Sequence, residues 1–477
     1  MSTVPSRLPR LVGVPVRAAS TPVRRFDPMR TPWRWSLLWA APHRLAFMAG
    51  MTLVLASALW WGVVLLLRAQ GVALPWAVSP GLAHAWVMGF GFMPLFMAGF
   101  LFTAGPRWLG LPEMSASALT VPLGAMVGGW ALALVGFHAF VALAAVGLAL
   151  VAAGWAIVVG RFALLVLQSR AADKLHATGV TLASLLGAVV LWAAAVALVL
   201  QREDVARAAL QVGLWGVLAM VFAFVSHRMI PFFSAAALPS LEAWRPNAVL
   251  WLLVALVGSQ APLAAADALG VAWSAPALLL RAAAEAAGGA FLLWLAVRWG
   301  LVQSLRIRLL AMLHLGFVWL GVAFMLGALG HAAQALQGDP STLMGAPAYA
   351  LAATHALTIG YLASTLVAMV TRVSVGHGGR TLVADDWAWV LFWAVQAAAL
   401  ARVGAALWPA MATPLTLLAV QAWLAGPADP AVAAHHGRAV QRRLPRCRSE
   451  RAAQRRRQWP PWRIHTRPDS IQVRGTQ

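Results

Sequence analysis

The sequence has little of what a soluble protein needs at its surface. Only 10% of its 477 residues are charged, whereas 61% are hydrophobic and the mean hydropathy is +0.76. A soluble domain carries about 25% charged residues, so a fully water-exposed surface is excluded. The single cysteine, Cys447, excludes an intrachain disulfide, a Cys-ligated iron–sulfur cluster and a thiolate zinc site. No apolar run precedes residue 44, so we expect no cleavable signal peptide.

Apolar runs long enough to cross a bilayer recur along the chain. About 20 apolar residues span the hydrocarbon as a helix. The runs are too long for barrel strands and do not alternate, so they are helices whose backbone groups are satisfied internally. We therefore predict an all-α fold, a polytopic integral membrane helical bundle with about 12 transmembrane helices. The predicted spans are 44–67, 82–104, 118–136, 140–165, 178–200, 209–233, 247–266, 274–299, 309–330, 347–371, 386–406 and 407–425.

The positive charge is concentrated at the two ends of the chain. Residues 1–44 carry +7 and residues 426–477 carry +9, which is 16 of the net +22. Basic segments beside membrane helices favour the anionic cytoplasmic face rather than nucleic acid. We therefore predict a basic, disordered, cytoplasmic N-terminal segment over 1–43, a membrane domain over 44–425, and a basic, disordered tail over 426–477.

Lysine and arginine in the loops predict the orientation. With a cytoplasmic N-terminus, the inner loops carry eleven such residues and the outer loops carry three, namely Arg68, Arg202 and Arg207. This bias follows the positive-inside rule. With twelve spans, both termini are cytoplasmic, which fits a multi-pass protein of a bacterial inner membrane surrounded by the lipid bilayer.

A few polar residues and glycines stand out within the spans. Arg281 and Glu285 lie four residues apart on one helix face and can pair, either as a structural ion pair or as part of a transport path. Glycine groups such as Gly124, Gly128 and Gly129 indicate close helix packing.

Histidines are the strongest candidates for chemistry, because neutral imidazole binds copper and haem iron. A lone intramembrane histidine is also a common packing residue, but several on different helices favour a metal. Helix rise places His84 and His355 towards the outer side, with His227, His314 and His377 towards the inner side. The interpretation is an outer pair and an inner group. The histidine pairs of quinone-linked b cytochromes and the His-Pro-Glu-Val-Tyr run of haem–copper oxidases are both absent.

Several motifs resemble those of one known family, the NnrS proteins. The most specific is HALTIGYLASTLVAMVTRVSVGHGGR at His355–Arg380. The others are HAWVMGFGFMPLFMAGFLFT at His84–Thr103, AGPRWLG directly after it, SHRMIPFFS at Ser226–Ser234 and the weaker PHRLAF at Pro42–Phe47. Together they occur in the expected order over residues 42–425.

The resemblance implies a twelve-helix protein that contains haem, b-type by expectation, and copper. It also implies a link to nitric oxide or a related small molecule, and through it to denitrification and nitrosative stress. Whether the protein turns this molecule over, senses it or protects the cell against it stays open. The matching positions, which the resemblance assigns to cofactor binding, are His84, His227, His355 and His377, with Arg228 and Arg372 as cations suited to haem propionates. His314 lies in none of these motifs and remains either a metal ligand or a packing residue.

The chain departs from the family at one point. Many members carry a second histidine and a glutamate shortly after the first, where this chain has Trp86 and Val87. Any ligand role at those two positions is lost here. The alternative function, a multi-helix transporter without a redox cofactor, stays open.

The orientation is testable with reporter fusions. Fusions after residue 75 and after residue 170 should report opposite sides of the membrane, because an odd number of predicted spans separates the two positions. Activity of both reporters on the same side would contradict the predicted topology.

Overall fold

The computed structural model describes residues 35–336, 346–377 and 382–425. These residues form helices and connecting loops, with no strand among them. Eleven of the helices in this part of the chain are long and apolar enough to cross a membrane. They are α1 (Pro42–Ala69), α2 (Pro80–Trp108), α3 (Ala116–Ala139), α4 (Val141–Gln168), α5 (Leu175–Val199), α6 (Glu203–Ala237), α7 (Asn247–Ala268), α8 (Ala275–Arg298), α9 (Arg308–Leu336), α10 (Ala346–His377) and α11 (Asp386–Leu407).

The fold class is the predicted all-α membrane bundle, and eleven predicted spans match these helices to within several residues. The twelfth, 407–425, is a shorter helix, α12 (Ala412–Ala425), of 14 residues. A helix of that length extends about 21 Å, less than the roughly 30 Å of hydrocarbon. The two termini lie on the same side of the membrane only if α12 also crosses it.

The ends of the chain were predicted to be disordered. Residues 1–34 and 426–477 lie outside the described residues. The remaining part of the N-terminal segment is ordered, because Trp35–Ala40 forms a short 3-10 helix directly before α1.

Four helices form the centre of the bundle. The apolar stretches of α2, α6, α9 and α10 are 83%, 78%, 67% and 56% buried, whereas the other seven are at most 50% buried. The outer helices face lipid with apolar side chains, and α12 packs on α11 and α1. All five predicted metal-binding histidines lie on the four central helices.

Three of the central helices depart from regular α-helix. α2 consists of two helices, Pro80–Phe90 and Met93–Trp108, interrupted at Gly91. α6 contains a π-helical segment at Gly213–Ala219, and α10 contains another at Ala356–Ala363. The second segment begins directly after His355. π-helical turns occur frequently at functional sites, so these interruptions direct attention to the middle of α6 and α10.

Glycine allows α3 and α4 to approach closely, although not every glycine named above takes part. A Cβ added to Gly129 would lie 2.6 Å from the carbonyl oxygen of Gly147 on α4. A Cβ added to Gly124 or Gly128 would meet nothing within 4 Å. The close packing predicted for this group therefore depends on Gly129 alone.

Two neighbouring glycines provide a matched test of this contact. Gly129→Ala should destabilise the protein by about 1–3 kcal/mol, because the backbone of α4 would have to move. Gly128→Ala should leave the stability unchanged or slightly higher, since its new methyl group has open space. Thermal unfolding in detergent measures both. Equal effects of the two substitutions would contradict the assigned helix contact.

Candidate functional site

A cavity of about 880 Å³ lies at the predicted outer side, lined by α1, α2, α6, α10, α11 and α12. Its wall is largely apolar and contains both histidines of the predicted outer pair, His84 and His355. Its size falls within the roughly 300–1,000 Å³ typical of ligand and cofactor sites. The cations in its wall are Arg68, Arg207 and Arg402.

His355 is held in one tautomer. Its Nδ1 lies 2.9 Å from the carbonyl oxygen of Leu351, one helical turn earlier. A carbonyl only accepts, so Nδ1 carries the proton and Nε2 carries the lone pair. Arg402 Nε donates to that Nε2 at 3.3 Å, and Arg402 Nη1 donates to Thr416 Oγ1. The nitrogen of His355 that carries the lone pair therefore has an arginine as its present partner.

His84 is fixed by ring stacking. It lies in the first turn of α2, which begins at Pro80, and its ring stacks on Trp61 of α1. The centroids are 4.0 Å apart and the planes differ by 22°. Its Nδ1 is buried and has no hydrogen-bond partner among the described residues. An orphaned buried nitrogen is costly, so a ligand that engages it would be favoured.

His227 pairs with a histidine that the sequence reasoning did not single out, His176 of α5. His227 Nε2 lies 3.2 Å from the carbonyl oxygen of Pro246 and so donates to it. His227 Nδ1 then accepts from His176 Nε2 at 3.0 Å. Both nitrogens of His227 are occupied, and His176 Nδ1 is buried without a partner in the described structure. The neighbouring Arg228 is 3.7 Å from Asp173 and stacks over Trp108.

His377 meets another histidine, His43 of α1, with ring centroids 4.7 Å apart. It ends helix α10, six residues beyond the predicted end of that span at residue 371. His377 Nδ1 donates to the carbonyl oxygen of Val373 at 3.0 Å, so its Nε2 carries a lone pair. That Nε2 is buried and without a partner among the described residues. Thr103 Oγ1 contacts His43 Nδ1 at 3.3 Å.

His314 stands apart from both pairs. Its Nε2 is 2.9 Å from Ser234 Oγ, and its Nδ1 is buried without a described partner. Arg372 lies over the ring of Phe233 at 3.5 Å. The predicted inner group therefore occupies three separate places. Among the residues that the structure describes, no three His, Cys, Asp or Glu side chains form a metal-binding cluster.

Three further candidates carried weak signals in the sequence. His43 lies within the PHRLAF motif and is buried. His176 precedes the predicted boundary of its span by two residues, although α5 includes it. Arg402 is an arginine inside an apolar span, which is itself a signal of function.

Arg281 and Glu285 form the predicted ion pair, with Nε and Oε1 3.1 Å apart. Asp267 contacts Arg281 at 2.8 Å, and His331 Nδ1 contacts Glu285 Oε2 at 2.7 Å. None of these four side chains lines the outer cavity. Because each charge already has a partner of opposite charge, the network fits the structural alternative better than a transport path.

Residues 37–428 of the chain match the sequence model of one protein family, which is described as NnrS protein. The match covers all the helices described above, from α1 to α12. A search of curated proteins gives no match.

Removal of the Glu285 carboxylate tests whether the charged network around Arg281 is structural. Glu285→Ala should destabilise the protein by about 3–5 kcal/mol, because Arg281 and His331 would lose a buried partner. The matched control is Glu113→Ala. Glu113 is exposed outside the spans, where its hydrogen bond with Arg107 holds the pKa of the carboxyl below its usual value. Its removal should cost about 0–1 kcal/mol. Similar unfolding midpoints for both variants would argue against a structural network.

Proposed function

This chain belongs to the NnrS family, and we propose that it holds a b-type haem in its outer cavity through His84 and His355. On this proposal it is a multi-pass protein of the nitric oxide response in a bacterial inner membrane. The topology proposed with it places both termini in the cytoplasm. The outer cavity then faces away from the cytoplasm.

The observation that carries the proposal is the meeting of two histidines from α2 and α10 in one cavity of about 880 Å³. The residues present fit a haem in three respects. The cavity has a largely apolar wall, His84 has an orphaned nitrogen, and His355 Nε2 has its lone pair available once Arg402 moves aside. Cationic side chains at the same cavity suit the two carboxylates of a haem.

Haem iron would supply a centre that binds a diatomic molecule such as nitric oxide in place of one of the two histidines. The protein's own residues would orient the two histidine rings. The stack on Trp61 holds the ring of His84, and the carbonyl of Leu351 fixes the tautomer of His355, as outer partners of metal-ligating histidines commonly do. Nitric oxide is small and uncharged, so an apolar wall within the bilayer admits it without a polar channel.

For copper, we propose the inner pair His43 and His377. Each ring comes from a different helix, and the buried lone pair of His377 Nε2 has no described partner. Copper accepts neutral imidazole readily. The pair His176 and His227 is less suited, because both nitrogens of His227 are already hydrogen-bonded. Arg228 and Arg372, which the resemblance matched to propionate-binding cations, lie near this inner side.

Spectra and metal analysis of purified variants test the two sites separately. His84→Ala and His355→Ala should each remove or shift the Soret band, because each deletes one haem ligand. His377→Ala should lower the copper content and leave the Soret band in place. The control is His138→Asn, since both ring nitrogens of His138 already contact Pro75 and Trp60.

A full Soret band in both cavity variants would contradict the haem site. No Soret band in the wild-type protein would favour the alternative, a transporter without a redox cofactor.

A further inference from the structure

Arg402 is a cation without a carboxylate. It lies on α11, five residues before that helix ends at Leu407, inside an apolar span. Its two hydrogen-bond acceptors, His355 Nε2 and Thr416 Oγ1, are both uncharged. Within the described residues, no Asp or Glu oxygen lies within 4 Å of its guanidinium, and the cavity wall contains neither residue type.

Such an arrangement is costly in a membrane. A charged group removed from water needs a partner of opposite charge, and ionisable residues inside spans are therefore usually paired. Arg281, a buried arginine in the outer half of α8, has two carboxylates, from Asp267 and Glu285. The contrast indicates that the counter-charge of Arg402 comes from outside the described protein.

The charge of the cavity supports the same conclusion. Arg68 and Arg207, both exposed, also line the cavity, so three cations and no described carboxylate surround it. A cleft lined by charge of one sign concentrates ions of the other sign. Arg68 and Arg207 are also two of the three exceptions to the positive-inside rule, and the third, Arg202, is paired with Asp204. Arg68 and Arg207, the two exceptions that have no described ion pair, therefore both lie at this cavity.

Thr416 can complete the site. Its hydroxyl oxygen accepts from Arg402 and retains its own proton, which can be donated to an anion. By contrast, the hydroxyls of Thr354 and Thr358, which also line the cavity, are committed to carbonyl oxygens of their own helix. Arg402 and Thr416 therefore place two donors side by side, next to His355.

We propose that Arg402 and Thr416 form an anion site in the outer cavity, which takes a carboxylate or a small oxyanion next to His355. This deepens the function proposed for the same cavity. If His355 Nε2 were to hold a metal, Arg402 would lose that acceptor, and its Nε–H would be available to the anion. The carboxylate can belong to a porphyrin or to a free small anion.

The first experiment uses free anions and needs no haem. Purified haem-free full-length protein is titrated with sodium formate or sodium nitrite, and the thermal unfolding midpoint is measured. Both anions should raise the midpoint of the wild type and of the control Arg202→Gln, which removes an outer arginine that does not line this cavity. They should leave Arg402→Gln unchanged.

The second experiment uses porphyrin carboxylates. Protein is loaded with haem or with haem dimethyl ester, whose carboxylates are blocked. If Arg402 binds a porphyrin carboxylate, Arg402→Gln should weaken haem binding roughly tenfold or more, as expected for a lost charge-assisted hydrogen bond. The same variant should bind the ester as the wild type does.

A positive result in either experiment supports the site and identifies the source of the anion. The proposed anion site would be overturned if Arg402→Gln responded to the free anions, and bound both haem and the ester, as the wild type does. If the wild type binds no haem, the haem proposal fails, and the free-anion titration still decides the role of Arg402. If Arg402→Gln does not fold, Arg402→Lys replaces it, because a single ammonium should bind either anion more weakly. Unchanged binding by that variant would also overturn the site.

Discussion

The hydrocarbon solvent is the constraint on which the rest of this structure depends. No water is available at membrane depth, so each polar side chain in a span needs a partner within the bundle. Helices α2, α6, α9 and α10 provide that interior, because they are the most buried of the described spans. The surrounding helices can then remain almost purely apolar towards lipid. The five predicted metal-binding histidines lie on these central helices, and His43 of α1 and His176 of α5 are buried against them, because the nitrogens need partners from protein or from a bound group.

The same constraint accounts for the two histidine pairs in contact, His43 with His377 and His176 with His227. A neutral imidazole has one donor and one acceptor nitrogen, and backbone carbonyls of regular helices are mostly occupied. His355 and His377 each use the carbonyl four residues earlier and thereby keep Nε2 as an acceptor. His227 instead uses Pro246 beyond its own helix and leaves Nδ1 as the acceptor. The choice of carbonyl therefore decides which nitrogen of each ring carries the lone pair.

Hydropathy predicted the helices well, because a long apolar run has few alternatives in a membrane. It predicted the site less completely. Depth along a helix follows from counting residues, so the grouping of His84 with His355 at one end of the bundle was predictable. Helix neighbours do not follow from counting, and the pairs of His377 with His43 and of His227 with His176 came from tertiary packing. Arg402 was visible as a charge within a span, but only the cavity distinguishes it from the paired Arg281.

The departure of this chain from its family, at Trp86 and Val87 of α2, does not alter the wall of the outer cavity. Trp86 and Val87 occupy the positions where many members have a histidine and a glutamate. Neither residue lines the outer cavity, whereas His84, Ala85 and Met88 do. Trp86 is buried against Phe90, with ring centroids 5.3 Å apart, on a different face of the helix. A ligand at position 86 or 87 would therefore have pointed away from His355. The replacement by Trp86 and Val87 therefore leaves both histidines of the outer cavity in place.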